Sequence, residues 1–264
     1  RFGHAIGTIT FKDLDGQTVT EEIHIWVCDE YNDLEIKSVT EQIVPGGSLA
    51  IDARLIVHAY SEEQGHYEKD AAGYVLKWQP LDEHWAQYAS MNQYTTEDGY
   101  VRLELSVTGD AELAEQIMGN HIPICVVAYA PEEDGGHEVN RRDIGINITD
   151  SFDVITPLDL ETYELPVGEE MTYNPTVTHY QYDAENGYQE YTMEGLEYAW
   201  GWDSSCVQIT DATGKVLNTE NLEENVEGTI GVAPFTIKRL DTWGTDIHCN
   251  AIQFDEELGD YQHI

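Results

Sequence analysis

The chain contains much of itself twice, and this internal repeat limits what it can fold into more than any other feature. V-P-G-G-S-L from Val44 is answered by L-P-V-G-E-E-M from Leu165, so Pro45 matches Pro166, and His58 matches His179. One residue is then gained. After it, Tyr60, Gly65, Glu68, Gly73 and Trp78 match Tyr182, Gly187, Glu190, Gly195 and Trp200. Cys125 matches Cys249, each opening an apolar run that ends in an acidic pair, Glu132-Glu133 and Glu256-Glu257. Self-similarity at this period marks an array of like domains, each about 110–120 residues and large enough for its own core. The expected organisation is one unit over 39–151 and a second over 152–264. Residues 1–38 read as the C-terminal part of a preceding unit or as an N-terminal hairpin. There I-T-F-K-D-L-D at 9–15 resembles F-T-I-K-R-L-D at 235–241, and Glu22-Ile23-His24 resembles Asp246-Ile247-His248. If so, the chain starts inside a domain and its natural polypeptide extends upstream.

Strand patterning dominates. Leu49, Ile51, Ala53, Leu55 and Val57 alternate with more polar neighbours, a period of two with one apolar face. Tyr74, Leu76 and Trp78 share a face of the next strand, and Leu196, Tyr198 and Trp200 repeat it. Val101, Leu103, Leu105 and Val107 form another. Turn signals separate these runs: Asp15-Gly16, Asp98-Gly99, Asn186-Gly187 and Thr213-Gly214. One helix is expected over Asp110–Met118, with an acidic N-cap and a stop at Gly119-Asn120. Short strands with turns every ~8–12 residues point to β-sandwiches.

Charge narrows the partners. Lys and Arg total 12 against 51 Asp and Glu, a net charge of −39. Such a surface repels phosphate backbones and anionic lipid, which excludes nucleic acid. No apolar run is long enough for membrane insertion. The acids are spread along the chain as a solvating shell.

The second unit carries a family resemblance. Trp200, the turn Asp203-Ser204-Ser205, the short strand Val207–Ile209, then Gly214 and Gly228 resemble the pattern of bacterial Ig-like (Big-type) domains. The first unit shares Trp78 and Gly99 but replaces the turn with L-D-E-H-W-A-Q-Y and inserts the helix. The resemblance implies an all-β chain of tandem immunoglobulin-like β-sandwiches, with one short helix in the first full unit. It also implies a large secreted or cell-surface bacterial protein in which such units serve as stalk, spacer or adhesive modules. Trp78 and Trp200 would then be core residues between sheets, with Cys125 and Cys249 on a facing strand.

Chemistry-bearing patterns are few. Carboxylate pairs mean little among 51 acids, and no nucleophile elbow, zinc helix, phosphate loop or dinucleotide fingerprint occurs. No catalytic residue, metal site or cofactor is assigned, and the protein is expected not to be an enzyme. Asp13, Asp15 and Gly16 have the spacing of a calcium loop, but a hairpin turn explains them. Cys28, Cys125, Cys206 and Cys249 lack metal or redox spacing and read as buried thiols, with a Cys206–Cys249 bridge as the other option. His58 and His179 suit structural hydrogen bonds. The best ligand candidates are aromatics expected at the surface: Tyr60, Tyr182 and Tyr188 in the repeated hairpin, Trp85 and Tyr88 in the variant segment, and Trp202. They suit an extracellular protein or a glycan. The readings are a display or adhesion module, a carbohydrate-binding module of a glycan-active protein, or a host-protein binder, for example of immunoglobulin.

Overall fold

The computed structural model describes residues 3–12, 18–27, 30–69, 71–158, 165–218, 229–242, 247–255 and 260–264. Asp13, Asp15, Gly16, Cys28, Gly228, Asp246, Glu256 and Glu257, named above, lie outside them. The chain is all-β, with several separate sheets. In order the strands are β1 (Gly3–Lys12), β2 (Thr18–Val27), β3 (Glu30–Ser38), β4 (Gln42–Ile43), β5 (Ser48–Ser61), β6 (Gly65–Lys69) and β7 (Val75–Pro80). Next come β8 (Ala89–Thr95), β9 (Val101–Val107), β10 (His121–Tyr129), β11 (Glu138–Ile148), β12 (Ser151–Ile155), β13 (Glu170–Tyr173) and β14 (Val177–Asp183). The last are β15 (Gly187–Thr192), β16 (Glu197–Gly201), β17 (Val207–Thr210), β18 (Ile230–Gly231), β19 (Phe235–Arg239), β20 (His248–Asp255) and β21 (Asp260–His263).

The helix α1 covers Ala111–Ile117. Asp110 caps it by accepting hydrogen bonds from the Glu112 and Leu113 amides, and Gly119 follows at φ +76°. Both caps are those expected from the sequence.

Two compact units result. The first comprises 1–38, 48–106 and 121–146; the second comprises 39–47, 107–120 and 147–264. In the first, β3, β5, β9 and β8 form one sheet with β6 added on β5, while β11, β10 and β7 lie in another. Leu49, Ile51, Ala53, Leu55, Val57 and Ala59 all point inward from β5 and are buried, as the alternation requires. Trp78 on β7 is 3% exposed, and its indole N–H donates to the Val101 carbonyl of the other sheet at 3.0 Å.

In the second unit, β13-β19-β17 faces β18-β16-β20-β21 across a shared core. Trp200 lies at its centre, 3% exposed, edge-on to Phe235 at 4.8 Å and to Tyr173 at 5.9 Å. Both tryptophans therefore sit where the sequence places them. Cys249 does not lie on a facing strand: β20 is the neighbour of β16 in the same sheet, with Cys249 directly opposite Trp200. In the first unit Val126 stands opposite Trp78, and Cys125 is one residue away, opposite Gln79. The one-residue offset turns the two thiols to opposite faces of their sheets. Cys125, Cys206 and Cys249 are free thiols, so the Cys206–Cys249 bridge does not form.

The repeat is visible in strand register. Tyr31 on β3 stands opposite His58 on β5, which stands opposite Glu68 on β6. Phe152 on β12 stands opposite Tyr180 on β14, which stands opposite Glu190 on β15. Tyr60 pairs with His66, and Tyr182 pairs with Tyr188. The matches of Tyr60 with Tyr182 and of Glu68 with Glu190 thus hold in space. The match of His58 with His179 does not, because His58 occupies the place of Tyr180. The gained residue lies earlier, where Asn174-Pro175-Thr176 separates β13 from β14 and β5 runs on as one 14-residue strand. A proline has no amide to offer a ladder, so the strand stops there.

Candidate functional site

In each unit the chain builds a three-stranded projection: β3-β5-β6 in the first and β12-β14-β15 in the second. Their turns are alike. Gly65 and Gly187 both sit in the left-handed region, at φ +72° and +71°, after three turn residues. In the second, the Asp183 carboxylate accepts from the Glu185 and Asn186 amides and from the Asn186 side chain. Those hydrogen bonds, the Asn186 side chain's first, hold its pKa below the usual carboxylate range.

On the first projection Tyr31, His58 and His66 form a ring stack, with centroids 4.6 and 5.2 Å apart and planes within about 21°. Tyr31 and Tyr60 are 51% and 58% exposed. His58 Nδ1 is buried and has no hydrogen-bond partner among the described residues. Lys69 pairs with Glu30 across the rim of this sheet. On the second projection Phe152 stacks on Tyr180 at 4.9 Å, and His179 Nδ1 lies 2.8 Å from Asp153, the structural hydrogen bond expected of that histidine.

The six aromatic candidates divide. Tyr60 is free at the surface. Tyr182 is half-buried and, with Asp183, Glu112, Glu115 and Met118, borders a cavity of about 460 Å³. Tyr188 is half-buried, and its hydroxyl donates to Glu190. Burial first, and then that hydrogen bond, raises the Tyr188 phenol pKa. Its side chain abuts the Gly46-Gly47 turn so closely that a Cβ on Gly46 would meet Tyr188 Cβ at 2.9 Å. Tyr188 therefore serves to seat that turn.

Trp85 is half-buried at the edge of a cavity of about 170 Å³ that reaches Met91, Leu105 and Ile122. Tyr88 and Trp202 are corrections to the expected surface positions. Tyr88 closes the short 3-10 turn Glu83–Gln87, its amide bonding to the Trp85 carbonyl at 2.9 Å, and this folds the ring inward to 8% exposure. Trp202 is 9% exposed in the core, and its indole N–H donates to the Val207 carbonyl at 2.7 Å. A buried indole with a satisfied N–H is a packing element. Sequence reasoning missed Tyr31, because its partner His58 lies on a strand far along the chain.

Among the described residues the ion pairs are exposed or half-buried, where water screens them. Arg102 forms a two-pronged bond to Asp52 at 2.7 Å, and Arg54 bonds Glu35 while lying over the Tyr100 ring at 5.0 Å. No group of three or more His, Cys, Asp or Glu side chains is placed to hold a metal among the described residues. No helix among them is long and apolar enough to cross a membrane.

No protein-family model and no curated protein sequence matches the chain. Solved structures give distant likenesses. A DUF4785 family protein of Legionella pneumophila is 12% identical with a TM-score of 0.30, over 86% of this chain and 49% of that one. The Escherichia coli adhesin FdeC is 11% identical with a TM-score of 0.25, over 94% and 68%. The Yersinia pseudotuberculosis adhesin InvE is 8% identical with a TM-score of 0.27, over 88% and 57%. The chain thus spans about half the length of the first and somewhat more of the others. At these scores the likeness decides nothing about function.

Proposed function

We propose that this chain is a non-enzymatic display and adhesion segment of a secreted or cell-surface bacterial protein, and that it binds an extracellular protein partner. In this reading residues 39–151 and 152–264 are successive Ig-like units. The observation that carries it is the repeated projection. Each unit carries an aromatic pair and a glutamate on one sheet face in the same strand register. A scaffold that reproduces such an outcrop presents it; tyrosines beside carboxylates suit a protein partner with basic and apolar contacts. The stacking favours protein over glycan. Tyr31, His58 and His66 cover one another's faces, which leaves few flat ring faces free for a sugar. A net charge of −39 steers basic partners and makes association rates fall with salt.

The test is to screen the whole chain against host extracellular proteins, immunoglobulins included, and against glycans. Saturable protein binding that slows in salt and is lost in Tyr60→Ala is the expected result. Salt-insensitive glycan binding lost in Trp85→Ala would move the chain to the carbohydrate-binding reading. Silence from folded protein on both arrays would overturn the binding role and leave a spacer.

A further inference from the structure

The β1–β2 hairpin exposes a mainly apolar face on which no other strand is seated among the described residues. It forms a two-stranded sheet that pairs with no other described strand. The register sets Phe11 opposite Val19, Ile9 opposite Glu21 and Gly7 opposite Ile23, so Phe11, Ile9 and Ile23 share one face. These three are 50%, 50% and 42% exposed. Glu21 interrupts this face opposite Ile9, while Thr8, Thr10, Thr20 and Glu22 share the other face with Ile6. Two strands alone are marginal in water, and a hairpin with one apolar face needs a third partner.

The chain itself indicates what that partner is. Because Tyr31 and Phe152 hold the same place in the two projections, the sequences leading into them can be aligned without a gap. Ile23, Ile25, Val27, Asp29 and Tyr31 then fall on Ile144, Ile146, Ile148, Asp150 and Phe152. The spacing equals that between Pro45 and Pro166, so the repeat runs back into the hairpin. β2 leads into β3 as β11 leads into β12, with two residues between each pair: 28–29 and 149–150. β2 is thus the counterpart of β11, and β1 of its sheet neighbour β10. This replaces the match of the hairpin with residues 235–248. There β19 and β20 lie in different sheets, whereas β1 and β2 pair with each other.

The counterparts are better covered. Ile144, which answers Ile23, is half-buried, and further along the same strand Ile146 is fully buried and Ile148 is 1% exposed. β10 carries β7 on its free edge, with Trp78 opposite Val126, and Val126 is fully buried. The edge of β1 that corresponds has no such strand among the described residues.

We infer that β1 and β2 are the last two strands of a third sandwich of this type. Its occupant is a tryptophan-bearing strand, equivalent to β7, that pairs along β1, together with the opposing sheet that lies over Ile9, Phe11 and Ile23. In the first unit β3 and β5 to β9 precede β10 and β11, so the missing strands come from polypeptide ahead of the hairpin. A second copy of the chain fits worse, since its own tryptophan-bearing strand β7 is already paired along β10.

The test joins a second copy of residues 30–120, which carries the counterparts of all the missing strands, to the front of the whole chain, and follows amide hydrogen exchange. In the unextended chain the β1–β2 amides should exchange close to the unprotected rate while those of β10 are protected. In the extended chain the hairpin amides should slow by about a hundredfold or more. Ile9→Asp with Phe11→Asp should abolish that gain and leave β10 protection unchanged. Hairpin protection equal to that of β10 in a monomeric unextended chain would overturn the inference. So would an extension that leaves the hairpin unprotected. A dimer in sedimentation that Phe11→Asp dissociates would make a second copy the occupant and overturn it as well.

Discussion

Trp78→Phe and Trp200→Phe should differ in cost although both indoles are 3% exposed at the same place in the repeat. Each change removes part of a buried ring. Full Trp→Ala truncation costs about 3–5 kcal/mol, so the lost ring area accounts for roughly 1–2 kcal/mol in either case. The N–H groups separate them. Trp78 Nε1 donates to Val101 O at 3.0 Å, and its loss strands a part-buried carbonyl at about 1 kcal/mol. Trp200 Nε1 is buried with no partner among the described residues. Removing it relieves a desolvated donor whose burial costs about 1–3 kcal/mol. Trp78→Phe should therefore destabilise its unit by about 2–3 kcal/mol, and Trp200→Phe by less than about 1 kcal/mol. Two compact units make a single melting curve a poor assay. Native-state hydrogen exchange in low denaturant, read at β10 for Trp78 and at β20 for Trp200, resolves them separately. Equal losses in the two variants would refute the reasoning, because they would mean that the Trp200 N–H is paired in solution.

Further expectations concern the turns and thiols. Gly46→Ala forces a left-handed backbone (φ +79°) on alanine and drives its Cβ to 2.9 Å from Tyr188 Cβ. It should cost about 2 kcal/mol, seen as faster exchange in the second unit. Asp211 is 7% exposed. Burial works to raise its pKa, but hydrogen bonds from the Thr213 hydroxyl and the Thr213 and Lys215 amides outweigh it, and the net shift is downward. A depressed folded value gives stability that is present above the unfolded pKa of about 3.9 and lost as pH falls through the folded one. Asp211→Asn should therefore weaken the second unit at pH 7 by about 1–3 kcal/mol, and the gap should close in urea titrations below about pH 4. Burial pushes the Cys249 thiol up to about 12 and raises that of Cys125. Both should resist iodoacetamide at pH 8 in the folded protein, and peptide mapping that finds either alkylated would contradict their placement.

Local grammar was legible in the sequence where it dictates local geometry. The alternation over Leu49–Val57, the caps of α1, the turn glycines Gly65 and Gly187 and the inward Trp78 and Trp200 all follow from period, capping and φ requirements. What escaped depends on distant neighbours. Tyr88 and Trp202 look like any surface aromatic until the 3-10 turn and the Val207 carbonyl draw them in. The extra residue of the second repeat can be inserted on either side of His179 in an alignment, and only the hairpin register puts it at Pro175. Ile-x-Ile-x-Val around Ile25 is ordinary strand sequence, so its kinship with Ile144–Ile148 emerged only after Tyr31 and Phe152 were seen in matching places. The assignment of 39–47 and 107–120 to the second compact unit left no mark in composition.

The uninterrupted β5 and the proline break before β14 give the two projections different cooperativity. β5 bonds β9 through Ser48–Ala53 and β6 through Val57–Ser61. Pulling the first hairpin loose therefore strains the same strand that holds its sandwich together, and the two should open as one unit. In the second, the ladder is severed at Pro175, and the junction is tied locally by Tyr198 donating to the Pro175 carbonyl at 3.0 Å and by Thr156 bonding Thr176. That sheet should fray from its Gly187 turn before its core opens, held at its base by Val177, which is 1% exposed in the core. One chain thus carries the same outcrop twice, once fused to its support and once able to yield under load before the support does.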